Sequence, residues 1–381
     1  MTWLPWIVLA VSIVGASYSL LIYPMVLWLL ARTTVRRDLQ SETSDLPRFT
    51  VIIPAHNEER VIAAKLQNTL GAARFTGTAY QIVVAADGCT DRTVEIARSI
   101  PEVEVVEVEK RGGIVGAFTA GFARAKHDII FFSDADILLD QHAFAAMLRH
   151  FAHPTVGGVC GSTRMAIRPG SGLTAERVNV AYRRWVRLRQ SIVHSSIGAD
   201  GANWALRREL VRFPKGQLAE DLVMPLEAIH SGLRFVYEPE AGALETSPWS
   251  VKDEYYRKVR TIAGGIQAAF YCQWMFTRQH AATGFHYVSW KLCKYAIPIW
   301  GVLGFAGALA IPALAWPAAL LIAVLVTLSV VGRVAGRFVP GPMSSLLAVP
   351  WYALVASATP LAALWLAIRH RSEVRWRMAA R

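Results

Sequence analysis

Charged side chains are scarce in this chain and absent from large parts of both ends. Asp, Glu, Lys and Arg make up 18% of the 381 residues, against about 25% in soluble domains. Residues 1–31, 295–332 and 338–368 contain none of them. This distribution and a mean hydropathy of +0.32 exclude an ordinary soluble protein.

The uncharged stretches are long enough to cross a lipid bilayer, which takes roughly 20 apolar residues. The sequence therefore predicts a membrane protein with one N-terminal transmembrane helix at about 6–30. It predicts about three C-terminal transmembrane helices, at 295–311, 313–332 and 343–368.

Cysteine is also rare, with four residues in the whole chain. None of them has the spacing of a zinc or iron–sulfur site, and we expect all to be reduced and structural. They are Cys89, Cys160, Cys272 and Cys293.

Arginines directly after the first apolar segment predict its orientation. Arg32, Arg36 and Arg37 favour the cytoplasm, so 32–294 is expected on the cytoplasmic side of the cell membrane. A cleaved signal peptide would need a basic segment ahead of its apolar stretch, which this chain lacks. The net charge of +12 suits an anionic inner leaflet. The position of this charge argues against a nucleic-acid partner, because much of the excess positive charge lies beside the apolar segments.

Five arginines after the last apolar segment conflict with three C-terminal crossings. Three crossings that start in the cytoplasm would leave these arginines outside, against the positive-inside tendency. Either one apolar segment is re-entrant or interfacial, or the tendency is broken. The residues are Arg369, Arg371, Arg375, Arg377 and Arg381.

Between the apolar ends, the pattern is that of an α/β domain. Short β-branched runs at 49–53, 81–85, 103–108 and 129–133 predict four strands, and helical stretches at 58–69 and 91–98 follow the first two. Such a doubly wound half-sheet binds ligands at the carboxyl ends of its strands. Polar clusters occupy three of those ends, at 54–58, 87–91 and 134–136.

The last of these clusters, Asp134-Ala135-Asp136, predicts a metal site. Mg²⁺ and Mn²⁺ prefer oxygen ligands and bridge one or two carboxylates to substrate phosphates. An acidic residue at a strand end is more often a turn or helix-cap residue, and Asp134 could cap a helix that starts near Gln141. Three polar strand ends at one sheet edge favour a metal site over a turn or helix cap.

These motifs resemble the membrane-embedded branch of the inverting, GT-A fold glycosyltransferases of family 2, which includes hyaluronan, chitin-oligosaccharide and cellulose synthases. The resemblance covers roughly 48–300 and implies that 32–245 is a cytoplasmic GT-A domain, followed by an amphipathic interfacial segment at 246–294, transmembrane helices at 295–368 and a basic tail at 369–381. It implies Asp136 and Asp134 as ligands of Mg²⁺ or Mn²⁺. It implies that the nucleotide-sugar donor contacts Pro54, Ala55, Asn57, Glu58, Asp87, Lys110, Asp134, Arg257 and Arg260.

Two later motifs resemble the acceptor side of the same family. The segment 198–208 is similar to its acceptor loop, and Ala219-Glu220-Asp221-Leu222 is similar to its Thr-Glu-Asp motif, in which the Asp is the general base. The resemblance implies Asp221 as the catalytic base. The acceptor-side residues are Gly201, Ala202, Asn203, Trp204 and Glu220. The plainer reading of Glu220 and Asp221 is that of acids favoured by a helix dipole in its first turn, and both readings can hold together.

The segment 255–261 departs from the processive members of the family. Arg257 and Arg260 match their Gln- or Arg-x-x-Arg-Trp motif, but Thr261 replaces the tryptophan. A basic helix lying on anionic lipid is the simpler explanation of these arginines. Without that aromatic platform we expect short products, unless a nearby tryptophan replaces it. The candidates are Trp204, Trp249 and Trp274.

The resemblance implies inverting transfer from a nucleotide-diphosphate sugar, with UDP the expected nucleotide, to a lipid-linked or saccharide acceptor at the cytoplasmic membrane face. The products would be β-linked, in a surface polysaccharide or glycolipid. A processive synthase that also translocates its polymer is the alternative, and an inactive membrane scaffold is the alternative of another class. The sequence does not indicate an oligomeric state.

Overall fold

The computed structural model describes residues 3–34, 45–165, 174–199, 201, 203–213, 219–245, 251–335 and 359–368. Its centre is an eight-stranded mixed sheet in the order β3-β2-β1-β4-β7-β6-β8-β5. The strands are β1 Phe49–Ala55, β2 Tyr80–Asp87, β3 Val103–Val108, β4 Ile129–Ser133, β5 Ile137–Leu139, β6 Val156–Met165, β7 Asn203–Arg207 and β8 Arg234–Glu245.

The α-helices named by their bounds are α1 Leu4–Ser17, α2 Tyr23–Thr33, α3 Ile62–Phe75, α4 Thr93–Arg98, α5 Gly113–Arg124, α6 Ala143–Leu148, α7 Thr174–Val193, α8 Glu220–His230, α9 Val251–Tyr271, α10 Ala281–Tyr287, α11 Cys293–Tyr295, α12 Ile297–Leu309 and α13 Pro312–Ala335. One further short helix is Thr359–Ile368. Two π-helical turns, Tyr18–Ile22 and Val288–Leu292, join α1 to α2 and α10 to α11.

The predicted half-sheet is confirmed by β1 to β4. β1 pairs in parallel with β2 and β4, and β2 with β3. The four expected runs agree with the observed strands to within two residues at each end. The sheet then continues with β7, which runs antiparallel to β4. The helix expected near Gln141 begins at Ala143.

The strands alternate between two apolar cores, one on each face of the sheet. Val51 and Ile53 pack into one core, whereas Ile52 packs into the other beside Phe132 and Trp204. Neighbouring residues of a strand point to opposite faces, so a run of apolar residues is needed when both faces are covered. This explains why β4 is a continuous apolar run, whereas the edge strand β3 contains Glu104 and Glu107.

The N-terminal apolar helix is confirmed as a candidate membrane span. α1, the first π turn and α2 form one helix, Leu4–Thr33, of 30 residues and mean hydropathy 1.9. It packs closely on α12: a side-chain carbon added at Gly15 would lie 2.5 Å from the Trp300 ring, and one added at Gly304 would lie 3.2 Å from the Ser12 Cβ.

The three predicted C-terminal spans are not confirmed. At the first of them, Arg278–Tyr295 and Ile297–Leu309 are long and apolar enough to cross a membrane only when they are taken as one span, and there is a bend of 56° between them. At the second, the apolar helix Pro312–Leu328 is short. The third lies largely outside the described residues, which include Thr359–Ile368. The predicted basic tail also lies outside them. The number of C-terminal crossings stays a prediction.

Candidate active site

The polar residues that follow β1 and β2 are hydrogen-bonded to each other. Asn57, with φ of 55°, accepts from the Thr90 backbone N–H at 2.8 Å through Oδ1. The Glu58 N–H donates to the Thr93 hydroxyl at 2.7 Å. Glu58 is buried, 3% exposed. Two of the predicted strand ends therefore form one connected surface, as the parallel pairing of β1 and β2 requires.

Asp87 ends β2 and holds the start of α5. One carboxylate oxygen accepts from the Gly112 N–H at 2.7 Å and the other from the Gly113 N–H at 2.8 Å. A carboxylate at a helix N-terminus satisfies N–H groups that have no partner inside the helix. This anchors the loop that follows β3, which carries the exposed Lys110. Contact of Asp87 or Lys110 with a nucleotide stays a prediction.

The Asp-x-Asp turn lies directly after β4, and a buried lysine supports it from below. Lys65 of α3 is fully buried, and its Nζ donates to the Ser133 Oγ at 2.7 Å and to the Ile137 carbonyl at 2.8 Å. These two residues flank Asp134 and Asp136, so one ammonium bridges the two sides of the turn. Burial lowers the pKa of Lys65 to about 7, while the two aspartates oppose that change.

Acidic groups are concentrated around this turn. Burial raises the pKa of Asp134 well above its usual value, and Asp136, Glu220 and Glu245 raise it further. In the part of the chain that the structure describes, no three His, Cys, Asp or Glu side chains form a metal-binding group. Mg²⁺ commonly takes one or two carboxylates and completes its shell with phosphate oxygens and water. Asp134 and Asp136, two residues apart and within an excess of negative charge, fit that requirement.

Glu220 and Asp221 occupy the first turn of α8. Through Glu220 they connect the Asp-x-Asp turn to α9. Burial and the adjacent Asp221 raise the pKa of Glu220 to about 7, while Arg260 acts in the opposite direction. Glu220 also acts on Asp134. The structure thus brings Asp134, Glu220, Asp221 and Arg260 into one charged site, although they are far apart in the sequence.

The predicted acceptor loop packs against Asp221. The Ala199 N–H donates to the Asp221 carbonyl at 2.7 Å. Gly201 has φ of 65°, and a side-chain carbon added there would lie 3.5 Å from Asp221 Oδ2. The positive φ strains other residues. Glycine therefore gives the loop this conformation beside the Asp221 carboxylate.

Two residues beside Asp221 come from the junction between the predicted amphipathic segment, 246–294, and the predicted span 295–311. Lys291 and Tyr295 both interact electrostatically with Asp221. Tyr295 reaches the site because α9 has a glycine opposite it: a side-chain carbon added at Gly265 would lie 2.5 Å from the Tyr295 hydroxyl. Neither residue belongs to a recognisable motif, so they were not predictable as site residues.

The structure corrects part of the predicted acceptor side. Trp204 is fully buried in β7 and stacks on Phe132 with ring centroids 4.2 Å apart. It therefore belongs to the core and offers no surface to a sugar. Asn203 is 1% exposed and donates to the Ala241 carbonyl at 3.1 Å. Ala202 lies outside the described residues.

The other predicted positions are distributed as follows. Pro54 and Ala55 are the last two residues of β1, and Ala55 is 2% exposed. Arg257 lies one turn before Arg260 on α9. Trp274 stacks on His230, with ring centroids 4.3 Å apart, so one face of its indole is covered. Trp249 lies outside the described residues.

Comparison with known proteins covers the part of this site that lies before α8. Residues 50–213 match the family model Glycosyl transferase family 2, so the chain contains a domain of that family. The fold is that of glycosyltransferases: a mannosyltransferase from Pyrobaculum calidifontis, determined in complex with GDP-Man and Mn²⁺, superposes with a TM-score of 0.71 at 21% identity, over 95% of this chain and 99% of that one. This likeness shows a shared fold.

Two curated relatives are similar over parts of the chain. Poly-beta-1,6-N-acetyl-D-glucosamine synthase of Staphylococcus aureus is 24% identical over 245 residues, 61% of this chain and 58% of the relative. Undecaprenyl-phosphate 4-deoxy-4-formamido-L-arabinose transferase of Pectobacterium carotovorum is 34% identical over 98 residues, 24% of this chain and 30% of the relative. The chain thus matches less than two thirds of each relative's length.

Proposed function

We propose that this protein is a membrane-bound inverting glycosyltransferase that uses a nucleotide-diphosphate sugar and a lipid-linked or saccharide acceptor. The observation that carries the proposal is the convergence of Asp134, Glu220, Asp221 and Arg260 at the sheet edge. Such a site needs a base for the acceptor and positive charge for the departing diphosphate. The convergence supplies candidates for both.

Asp221 is the proposed general base. An acceptor hydroxyl is a poor nucleophile, so a carboxylate must remove its proton as the oxygen bonds to the anomeric carbon. Asp221 lies in the first turn of α8 beside the Gly201 loop. A single displacement with one base, and no covalent intermediate with the enzyme, inverts the anomeric carbon. An α-linked donor then gives a β-linked product.

The donor diphosphate is proposed to lie between Arg260 and the Asp-x-Asp turn. Asp134 and Asp136 would hold Mg²⁺ or Mn²⁺, which supplies positive charge to the phosphate oxygens when bound. Lys65 bridges Ser133 and Ile137 on the two sides of this turn. The nucleoside is proposed to lie along the linked loops after β1 and β2, near Asn57 and Asp87. UDP remains the proposed nucleotide.

The proposed acceptor is lipid-linked or a short saccharide. The polysaccharide synthase and the undecaprenyl-phosphate sugar transferase that this chain resembles support a membrane acceptor of either kind. Thr261 at the platform position and the burial of Trp204 favour few additions per encounter over a long polymer. The 30-residue apolar helix supports a location at the cell membrane, with the domain on its cytoplasmic face.

Release of nucleoside diphosphate tests the proposal. The purified full chain in detergent is incubated with a panel of UDP- and GDP-sugars, Mg²⁺ or Mn²⁺, and lipid extract or short oligosaccharides. We expect release from at least one donor, stimulated by one acceptor class. Absence of release with every pair would contradict the proposal and favour the inactive scaffold.

A further inference from the structure

A buried tyrosine of the N-terminal apolar helix is hydrogen-bonded to two later helices. The Tyr23 hydroxyl of α2 lies 2.8 Å from Gln190 Nε2 of α7 and 3.0 Å from His286 Nδ1 of α10. All three side chains are at most 2% exposed. Buried polar groups need partners inside the protein, and these three residues provide them for each other. We call Tyr23, Gln190 and His286 the polar relay.

The direction of each hydrogen bond in the polar relay follows from the group at its far end. The Ile197 backbone N–H can only donate, and it donates to Gln190 Oε1 at 3.3 Å. The amide nitrogen of Gln190 therefore faces Tyr23 and donates to its hydroxyl oxygen. The tyrosine proton is left for His286 Nδ1, which accepts it. The hydrogen bonds thus run in one consistent direction, from the loop after α7 to α10.

The loop that contains Ile197 also holds the proposed base. Two residues later, the Ala199 N–H donates to the Asp221 carbonyl at 2.7 Å. Between them, Gly198 has φ of 82°, and a side-chain carbon added there would lie 2.8 Å from Leu222 Cδ1. The loop 196–199 is therefore tied to the polar relay at one residue and to the first turn of α8 at another.

Apolar packing already attaches the N-terminal helix to this part of the protein. Tyr23 and Leu27 pack against Val186 and Trp290. A wholly apolar contact would avoid the cost of burying an amide, a hydroxyl and an imidazole. Buried polar groups that are hydrogen-bonded in a network instead fix one arrangement of the elements that carry them. The polar relay therefore suits the placement of the loop 196–199 better than attachment alone.

We propose that Tyr23, Gln190 and His286 are positioning residues, which hold the loop 196–199 and, through it, the proposed base Asp221. The N-terminal helix would then complete the acceptor side of the site as well as anchor the protein. This inference rests on the proposed function and adds to it a requirement for a hydroxyl on that helix.

Two tyrosines of the N-terminal helix provide a matched pair of variants. Tyr23→Phe removes the hydroxyl of the polar relay. Tyr18→Phe is the control, because it removes a hydroxyl from the same apolar helix whose partner is the Ser289 Oγ, at 3.0 Å. Each full-length variant in detergent is examined by amide hydrogen exchange at 196–199, by nucleoside diphosphate binding and by the kcat of acceptor-dependent transfer. Melting curves establish that each variant is folded.

We expect Tyr23→Phe to accelerate exchange of the 196–199 amides and to lower kcat, each by about fivefold, the factor that corresponds to one net hydrogen bond. Nucleoside diphosphate binding should stay close to wild type, because the proposed donor contacts lie elsewhere. Tyr18→Phe should match the wild type in all three measurements. A general loosening of the protein would instead weaken donor binding together with kcat.

Equal effects of Tyr23→Phe and Tyr18→Phe on exchange and kcat would overturn the inference, and so would a Tyr23→Phe variant that matches the wild type in both. If Tyr23→Phe fails to fold, Gln190→Met, which removes both hydrogen bonds of the amide, is judged by the same criteria. In the wild type, an Ile197 amide that exchanges as fast as in an unfolded peptide would overturn the inference without any variant.

Two outcomes separate the inference from the proposed function. If Tyr23→Phe accelerates exchange at 196–199 as expected but the wild type releases no nucleoside diphosphate from any sugar donor, the proposed function is wrong and the placement of the loop by the polar relay stands. If the wild type transfers sugar and Tyr23→Phe leaves both exchange and kcat unchanged, the proposed function stands and the inference is wrong.

Discussion

The buried Glu220 makes the stability of this protein depend on pH in a defined way. Its pKa is about 7 in the folded protein, against an ordinary value of 4.5, because the carboxyl is buried beside Asp221. At about 1.36 kcal/mol per pH unit, this difference of about 2.5 units corresponds to roughly 3 kcal/mol. The folded state binds the proton more tightly than the unfolded state, so stability falls as pH rises from about 4.5 to 7 and levels off above.

Glu220→Gln should remove this loss, because the amide has the same shape and does not ionise. The difference in stability between the variant and the wild type should be larger at pH 8 than at pH 5, in favour of the variant, by at most roughly 3 kcal/mol, or up to about 4 °C in melting temperature for a chain of this length. Melting is followed by tryptophan fluorescence in detergent and EDTA. The exposed Glu209 provides the control, since Glu209→Gln should parallel wild type. If the melting temperature of Glu220→Gln also parallels that of the wild type between pH 5 and 8, the conclusion that Glu220 is buried and protonated is refuted.

Three further variants test other parts of the structure. Asp136→Asn should abolish donor turnover while melting stays close to wild type, and EDTA should inhibit the wild type; full activity in EDTA would contradict the metal assignment. Trp204→Ala should cost about 3–5 kcal/mol of stability, because its ring fills the core against Phe132, and a melting temperature near wild type would contradict that packing. Thr261→Trp should lengthen the products seen by gel sizing of radiolabelled sugar; long polymer already made by the wild type at low enzyme and excess acceptor would contradict the expectation of short products.

Local sequence patterns and motifs were sufficient to predict half of the strands of the sheet and the charged residues at its edge. The runs 103–108 and 129–133 coincide with β3 and β4. β4 is covered on both faces and is a continuous apolar run, whereas the edge strand β3 was recognisable from its β-branched residues. Asp134 was recognisable because it follows the end of a strand, whereas Asp221 was identified through the family motif that 219–222 resembles. That these two belong to one site required the fold.

Residues that act through distant contacts were not predictable from sequence. Lys65 lies on the buried face of α3. Only its hydrogen bonds to Ser133 and Ile137 show that it supports the Asp-x-Asp turn. Lys291 depends on a π turn that composition does not reveal. Trp204 was assigned to the acceptor surface by its motif, whereas the side-chain alternation of β7 directs it into the core.

The most direct test of the central claim compares Asp221→Asn with wild type in two assays on the same preparation. Binding of nucleoside diphosphate should change less than threefold, because the proposed donor contacts lie at the Asp-x-Asp turn, Arg260 and the loops after β1 and β2. Acceptor-dependent transfer should fall by roughly 10²–10⁴-fold, the usual loss when a general base is removed. An Asp221→Asn variant that bound nucleotide poorly and kept the wild-type rate at saturating donor would contradict the account, because Asp221 would then hold the donor and another group would be the base.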